Sequence, residues 1–207
     1  MTSRLLAQTA RAALAVAGVI ALSFLFFDRS AAWFAHGLKS TAVFDLARLA
    51  SLAADETLIF SLVAVGLTAS AVNLLGPSPK DWARDLLCIC LAVCAADALT
   101  ECLKFVFGRC RPPLLFAEDR YGFTWFTVTS GFTSFPSGHT TRIFALCAAL
   151  ALRFRRLAAP LFLLAAVVGV SRVLALRHYP SDVLAGAFVG VSAACWAFGL
   201  RRRVPGA

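Results

Sequence analysis

Six long apolar runs recur along the chain, and short polar or glycine- and proline-containing segments separate them. The runs lie near residues 8–27, 57–75, 86–107, 137–153, 157–176 and 182–200. A helix needs about 20 apolar residues to cross the hydrocarbon core of a bilayer. Only 15% of the residues are charged while 60% are hydrophobic, which leaves too few polar residues to cover a soluble domain. The sequence therefore predicts an all-α, polytopic membrane helical bundle of about six transmembrane helices, formed by a single domain over residues 1–207.

The segments around the first run allow two interpretations. Arg4 and Arg11 precede the run and small residues follow it, which would also suit a cleaved signal peptide. We interpret the run as a retained first span, since Leu5 and Leu6 can lengthen it. Residues 30–56 then carry large apolar side chains at roughly helical spacing, which predicts a short interfacial helix between the first and second spans.

The formal net charge is +9, and the basic residues that produce it lie mostly at the ends of apolar runs. No basic patch is interleaved with stacking aromatic residues, so we exclude nucleic acid as a partner and expect anionic lipid head groups instead. Short loops rich in Lys and Arg stay in the cytoplasm. With six spans, three basic clusters fall on one side: Arg4 with Arg11, the arginines of 153–156, and Arg201 to Arg203. Both termini are therefore predicted to be cytoplasmic, in the inner membrane of a bacterium, and the opposite face is predicted to be periplasmic.

The side of the predicted bundle opposite these clusters collects chemically active residues. Cations, two histidines and a carboxylate meet there from four helix ends; they are Lys104, Arg111, His139, Arg172, His178 and Asp182. Arg presents a planar fork that matches phosphate oxygens, and Lys presents a compact positive charge. The helix N-terminus predicted at Ser137 and Gly138 offers backbone N–H groups that bind anions. His gives and takes protons near neutral pH, so this face combines anion binding with proton transfer.

Asp182 follows His178 by four residues, and two geometries are open. If the helix already begins at His178, the two side chains share a face and the carboxylate can orient the imidazole. If Pro180 starts the helix, the two side chains can still meet, but the spacing does not establish it.

Three blocks of the sequence, taken in order, resemble the type-2 phosphatidic acid phosphatase superfamily. The first is Lys104, six further residues and Arg111-Pro112. The second is Pro136-Ser137-Gly138-His139, and the third is Ser171-Arg172, five residues, His178, three residues and Asp182. All three blocks match at every motif position. They cover residues 104–182, which is somewhat over a third of the chain.

The resemblance implies a mechanism of phosphoryl transfer. His178 would attack phosphorus and form a phosphohistidine, and Asp182 would hold the His178 ring in the right tautomer. His139 would protonate the leaving oxygen and then activate water. The non-bridging oxygens would be held by cations and hydrogen-bond donors, namely Lys104, Arg111, Ser137, Gly138, Ser171 and Arg172, which stabilise a charged transition state. This mechanism needs no metal and no cofactor, and no His or Cys recurs at metal-ligand spacing.

Asp97, Glu101 and Lys104 share one face of the third span at i, i+4, i+7 spacing. Ionisable groups inside a membrane are functional candidates. Glu101, and Arg142 three residues after His139, are predicted to support the site without touching substrate. The alternative is that Glu101 only pairs with Lys104 or Arg142, and the role of Asp97 stays open.

The predicted function is that of a membrane lipid phosphatase, which hydrolyses a phosphomonoester or diphosphate of a lipid at the periplasmic face. The motifs indicate that the substrate carries a phosphate, but they do not identify the lipid alcohol to which the phosphate is attached. Undecaprenyl diphosphate, phosphatidic acid, phosphatidylglycerol phosphate and the phosphates of lipid A are all candidates. An alternative on the same scaffold is a lipid phosphotransferase, which passes the phosphoryl group to an acceptor other than water. The expected partners are the bilayer and an anionic phospholipid or isoprenoid phosphate, and the oligomeric state is left open.

Overall fold

A computed structural model describes residues 2–201, and the regular structure in this range is helical. The α-helices of this range are α1 (Thr2–Leu22), α2 (Asp28–Gly37), α3 (Ala42–Ser51), α4 (Glu56–Leu74), α5 (Asp81–Phe107), α6 (Pro112–Glu118), α7 (Gly138–Arg153), α8 (Ala158–Leu174) and α9 (Pro180–Arg201). A π-helical turn at Ser23–Phe27 joins α1 to α2. Tight 3₁₀ turns occupy Leu52–Ala54, Ser130–Phe132 and Arg155–Leu157. The predicted all-α fold class is confirmed.

Five helical segments are long and apolar enough to cross a membrane: Ser3–Gly37, Ala42–Leu74, Asp81–Phe107, Arg155–Leu174 and Pro180–Arg201. Large apolar side chains lie exposed on their outer surfaces, among them Leu14, Leu25, Val65 and Val72. Exposure of so much apolar surface to water is unfavourable, whereas lipid tails can cover it. The chain is therefore a multi-pass membrane protein, as predicted.

The predicted fourth span differs from the others in length. α7 contains 16 residues, about 24 Å of helix at 1.5 Å per residue, which is shorter than a bilayer core of about 30 Å. Most of its residues are buried, because α5, α8 and α9 pack around it. α7 is thus the central helix of the bundle, and the count of six spans stays a prediction.

The packing of α9 on α7 depends on two glycines of α9. A Cβ at Gly190 would lie 2.5 Å from the Thr141 carbonyl oxygen, and a Cβ at Gly186 would lie 2.7 Å from the Ser137 carbonyl oxygen. Small residues at this four-residue spacing let two helix backbones approach closely within a membrane. The close approach sets the distance between the first turns of α7 and α9, which carry the candidate site.

Charged residues at one end of the bundle pair across helices. Asp85, near the start of α5, accepts hydrogen bonds from Arg153 Nε at 2.6 Å and from Arg201. Arg4 of α1 lies at the same end, beside the last turns of α7 and α9. The structure thus brings members of the three predicted basic clusters together, while residues 202–203 lie outside the described range. Their cytoplasmic assignment stays a prediction.

The boundaries differ from the prediction in two places. Instead of one short helix over residues 30–56, the structure has two, because α2 continues α1 through the π-helical turn and α3 leads through a 3₁₀ turn into α4. α5 begins at Asp81 rather than at residue 86. An acidic residue is favourable in the first turn of a helix, so the helix extends beyond the apolar run that marked the span.

Candidate active site

The predicted site residues lie at one end of the bundle, where α5 and α8 end and α7 and α9 begin. They are Lys104, Arg111, Ser137, Gly138, His139, Ser171, Arg172, His178 and Asp182. The backbone N–H of Ser137 donates to the Asp182 carbonyl oxygen at 3.1 Å, so the starts of α7 and α9 are tied directly. This end lies opposite the Asp85 ion pairs, since α5 runs the length of the bundle between them.

His178 lies in the loop between α8 and α9, with 4% of its surface exposed. Its Nδ1 is 2.8 Å from the carbonyl oxygen of Ser134. A carbonyl oxygen can only accept a hydrogen bond, so Nδ1 carries the ring proton. Nε2 is then left with its lone pair, and this is the nitrogen that can attack an electrophile.

Asp182 is fully buried in the first turn of α9, where several donors hold it. Its Oδ2 accepts from Ser134 Oγ at 2.7 Å and from the Tyr179 N–H at 2.8 Å, and its Oδ1 accepts from Arg109. His178 Nδ1 lies 3.7 Å from Oδ2, which is too long for a hydrogen bond. The resemblance assigned the orientation of the ring to Asp182. In the structure the Ser134 carbonyl makes that bond, and Asp182 holds the Ser134 side chain.

The helix of α9 begins after His178, at Pro180, which is the second of the two geometries left open by the sequence. Burial lowers the pKa of His178 to about 4; the charge of Asp182 opposes this shift, while the positive charges of Arg111 and Arg172 add to it. Both guanidinium groups are therefore within electrostatic reach of the ring. His178 is neutral at neutral pH, as a nucleophile must be.

His139 is the second residue of α7 and lies beside Arg142, one turn later. Arg142 Nη2 is 3.4 Å from His139 Nδ1, and a guanidinium can only donate, so Nδ1 accepts and Nε2 carries the proton. Arg142 is itself held by Asp97 at 2.8 Å and by Glu56 at 3.4 Å. Asp97, whose role was left open, thus fixes the arginine that contacts His139, and Glu56 was missed by the sequence analysis.

Lys104 lies at the end of α5 against the N-terminus of α7. A Cβ at Gly138 would be only 3.1 Å from Lys104 Nζ, so glycine leaves room for the ammonium beside the first N–H groups of α7. Lys104 Nζ also donates to Glu101 Oε1 at 2.6 Å, and the Glu101 side chain is 56% exposed. The observed contact of Glu101 is therefore the simple pairing with Lys104. An ammonium beside a helix N-terminus favours an anion between them.

Two guanidinium groups of the site have no acidic partner within residues 2–201. Arg111 Nη2 donates to Thr133 Oγ1 at 3.2 Å, while its Nε is buried without a hydrogen-bond partner. Arg172 is 8% exposed and its Nε is likewise unpartnered. Buried N–H groups are nearly always satisfied in folded proteins. Donors left open in this way are available to the oxygens of a bound phosphate.

Two of the predicted phosphate ligands are engaged inside the protein. Ser137 Oγ accepts from Thr140 Oγ1 at 3.0 Å, and Ser171 Oγ donates to the Val168 carbonyl oxygen at 2.7 Å. Both serines are buried. The Ser137 hydroxyl keeps its own proton for a further acceptor, whereas the Ser171 hydroxyl would have to rotate away from Val168 to meet a phosphate.

A buried network that was not predicted from the sequence lies behind Asp182. Arg109 Nη2 donates to Asp28 Oδ2 at 2.6 Å, and Nη1 donates to Ser181 Oγ at 2.5 Å as well as to Asp182. Asp28 also accepts from Ser23 Oγ at 2.8 Å and from the Ser181 N–H at 3.0 Å. Burial alone would lower the pKa of Arg109, but the charges of the two carboxylates outweigh it and raise the pKa. The network therefore ties the first helical segment to the start of α9.

Aromatic rings enclose the Arg109 guanidinium on several sides. Its central carbon lies 4.5–5.6 Å from the ring centroids of Phe24, Tyr121, Phe123 and Tyr179. Rings at this distance attract a cation and exclude water from it. One sequence signal for the network was present, since Asp28 is an acidic residue directly after an apolar run.

The fold and the site together define an integral membrane protein with a histidine- and arginine-rich site at one end of a helical bundle. Residues 85–204 match the PAP2 superfamily. The chain belongs to that superfamily, and the resemblance carried by its three motif blocks is confirmed.

Individual relatives match shorter segments. The chain is 41% identical over 92 residues to the lipid A 1-phosphatase of Rhizobium etli, which is 44% of this chain and 40% of that protein. It is 40% identical over 58 residues to the undecaprenyl-diphosphatase BcrC of Bacillus subtilis, which is 28% of this chain and 30% of that protein. The matched segments thus span less than half of either relative.

The fold is similar to a solved structure over nearly its whole length. The crystal structure of a transmembrane PAP2-type phosphatidylglycerolphosphate phosphatase from Bacillus subtilis superposes with a TM-score of 0.69. The similarity covers 96% of both chains at 19% sequence identity. At that identity, the similarity supports the helical fold and carries no information on the substrate.

Proposed function

We propose that this protein is a membrane lipid phosphatase that hydrolyses a phosphomonoester or diphosphate of a lipid through a phosphohistidine intermediate. The observation that carries the proposal is the state of His178. Its Nδ1 proton is held by the Ser134 carbonyl, and Nε2 keeps a lone pair beside Arg111 and Arg172, which lack acidic partners within residues 2–201. A neutral nucleophile next to open guanidinium donors is complementary to a phosphate ester.

The first chemical step is the attack of His178 Nε2 on phosphorus. As the new P–N bond forms, the bond from phosphorus to the lipid oxygen breaks. His139, protonated to its imidazolium form when the anionic substrate is bound, donates its Nε2 proton to that oxygen and becomes neutral. The lipid leaves as an alcohol or, from a diphosphate, as a monophosphate. In the second step His139 takes a proton from water, the water oxygen attacks phosphorus, and inorganic phosphate leaves His178 with its lone pair restored.

The cations of the site act on the non-bridging oxygens during both steps. Lys104, Arg111 and Arg172 hold these oxygens, and the first N–H groups of α7 at Gly138 add hydrogen bonds. The phosphorylated His178 ring carries positive charge, which the Ser134 carbonyl stabilises directly. The buried carboxylate behind it adds a longer-range attraction.

The substrate is proposed to be an anionic lipid with a terminal phosphate or diphosphate. The relatives act, by their names, on lipid A and undecaprenyl diphosphate, and phosphatidylglycerolphosphate is a candidate from the motif resemblance. Phosphatidic acid joins these candidates through the motif resemblance. The rate of phosphate release from each of these four lipids, measured with the purified protein, would rank them as substrates.

The site is proposed to face the periplasm, in the inner membrane of a bacterium, with both termini in the cytoplasm. The support is geometric: Arg153 and Arg201 both pair with Asp85 at the end of the bundle opposite His178. Basic residues at helix ends favour the cytoplasmic side.

The direct test replaces each histidine by alanine in the detergent-purified protein. A general acid–base role contributes roughly 10²–10⁴-fold, so His139→Ala and His178→Ala should each lower phosphate release at least a hundredfold. Arg120→Ala, at an exposed cation of the same end, is the matched control and should keep activity. Acid-labile label from a radioactive substrate should stay on the wild type and be absent from His178→Ala. Near-normal turnover in either histidine variant would remove that residue from the mechanism.

The hydrolysis is proposed to need no metal ion. Within the described part of the chain, no three His, Cys, Asp or Glu side chains are grouped so as to hold one, and the cations of the site already supply positive charge. Phosphate release should survive EDTA, and vanadate should inhibit by resembling five-coordinate phosphorus. Loss of activity in EDTA that a divalent cation restores would contradict this part of the proposal.

A further inference from the structure

A second basic site lies next to the catalytic residues. It is a cavity of about 590 Å³ between the end of α2, the middle of α3, α6 and the segment after α8. His36, Lys39, Arg48 and Arg177 line it, together with apolar side chains that include Phe44 and Phe116. The volume falls within the range of small-ligand sites in proteins.

The charge of this cavity is not balanced by the protein. No acidic residue lines it, and within residues 2–201 Lys39, Arg48 and Arg177 take part in no ion pair. Other cations of the same end are paired, as Arg29 is with Asp119 and Arg120 with Glu118. A concave site with several unpaired cations concentrates field and favours an anion.

The cavity adjoins the nucleophile through the chain itself. Arg177 lines it and directly precedes His178, so their Cα atoms are about 3.8 Å apart. Pro113 also lines it, two residues after Arg111. The positive charge of Arg177 contributes, after burial, to the lowered pKa of Arg111. The cavity therefore borders the loop that carries His178, within electrostatic range of the catalytic cations.

An apolar groove of about 400 Å³ lies on the other side of α3, against α8. Leu46 and Ala50 of α3 and Val167 and Val170 of α8 are among its lining residues. On α8 the lining of the groove ends at Leu174, and the lining of the cavity begins at Ala175, the next residue along the chain. An acyl chain along the groove would leave a polar head group between the catalytic site and the basic cavity.

We propose that the cavity binds a second phosphate carried by the head group of the substrate lipid, beyond the phosphate that is cleaved. The proposal rests on the proposed lipid phosphatase activity and narrows its substrate to a lipid with a large head group bearing two phosphates. The volume admits a sugar-sized unit as well as the phosphate. The rings of His36 and Phe116, with centroids 4.4 Å apart, form an apolar wall suited to a sugar face.

The test uses two synthetic glycolipids with the same acyl chains and the same cleavable phosphate on the sugar. One carries a second phosphate at the far end of the head group, and the other carries a hydroxyl there. The double variant Lys39→Gln/Arg48→Gln should lower kcat/KM for the two-phosphate lipid about tenfold more than for the one-phosphate lipid. The control Arg29→Gln/Arg120→Gln removes the same charge from paired positions and should not discriminate between the lipids.

Equal losses on both lipids, or no loss on either, would overturn the head-group site while leaving the phosphatase activity in place. Inorganic phosphate is the second probe. If the double variant weakens inhibition by inorganic phosphate as strongly as it weakens use of the two-phosphate lipid, the cavity holds released phosphate and the proposal is wrong. If the wild type releases phosphate from neither glycolipid nor any of the four candidate lipids, the proposed function itself fails.

Discussion

Replacing Arg109 by leucine removes the positive charge between Asp28 and Asp182. All three side chains are fully buried, and Arg109 forms an ion pair with each carboxylate. In the variant, Asp28 keeps its bond from Ser23 and Asp182 keeps its bond from Ser134. Both carboxylates lose their counter-charge, and they also repel each other.

The expected loss of stability follows from this geometry. Removing one partner of a buried ion pair typically costs about 3–5 kcal/mol. Arg109 serves two carboxylates, which places the variant in the upper part of that range, about 4–5 kcal/mol. A chain of this length loses about 2–4 °C in Tm per kcal/mol. The Tm should therefore fall by roughly 8–20 °C, and activity should fall with it because Asp182 loses its counter-charge.

The assay is thermal unfolding of the detergent-purified protein at neutral pH. Arg29→Leu is the matched control, since Arg29 pairs with Asp119 at 3.3 Å at an exposed position. Exposed pairs contribute about 0–1 kcal/mol, so the control should shift the Tm by only a few degrees. The double variant Asp28→Leu/Arg109→Leu removes one of the two orphaned charges. It should be more stable than Arg109→Leu alone.

Two results would refute this reasoning. If Arg109→Leu and Arg29→Leu lower the Tm equally, the buried network contributes nothing beyond a surface pair. The second result is additivity: the double variant could be less stable than Arg109→Leu by as much as Asp28→Leu alone destabilises the wild type. The two residues would then not be coupled, and their ion pair would contribute no net free energy to stability.

Helix packing, nucleophile ionisation and membrane sidedness each give a further test. Gly190→Ala should lower the Tm because its Cβ would overlap the α7 backbone, whereas Gly18→Ala, with nothing within 4 Å, should not; equal shifts would contradict the packing argument. Because burial lowers the pKa of His178 to about 4, kcat/KM, corrected for substrate ionisation, should hold as pH falls below 6.5 and decline only near 4; a break at 6.5 would contradict it. A cysteine replacing Arg120, in a background without reactive native cysteines, should react with an impermeant thiol reagent in intact cells, and one replacing Arg155 only after permeabilisation; the reverse pattern would place the site in the cytoplasm.

The residues brought to one end of the bundle could be predicted from the sequence because helix ends alternate between the two faces of a membrane. Lys104, His139, Arg172 and His178 each stand at a span boundary, so counting apolar runs places them on one side. No such rule identifies the acceptor for His178. The Ser134 carbonyl is a backbone atom in an irregular loop, and only the folded loop reveals its position.

The lengths of the helices were harder to predict than their order. Hydropathy marks the lipid-facing part of a helix, so it missed the first turn of α5 at Asp81. α7 is buried by its neighbours rather than by lipid, and a central helix can be short and still apolar. The two glycines of α9 that fix its packing on α7 carry no hydrophobic signal at all.

The position of Asp28 bears on the two interpretations of the first apolar run. The family match begins at residue 85, so Asp28 lies outside it, yet its carboxylate is fully buried against Arg109 and Ser181. Cleavage near residue 30 would remove this carboxylate and leave Arg109 with Asp182 alone. It would also leave the Ser181 N–H, in the first turn of α9, without its Asp28 acceptor. Ser181 lies three residues after His178. A segment that completes the buried network behind the candidate nucleophile is part of the folded bundle, which favours the retained span over the signal peptide.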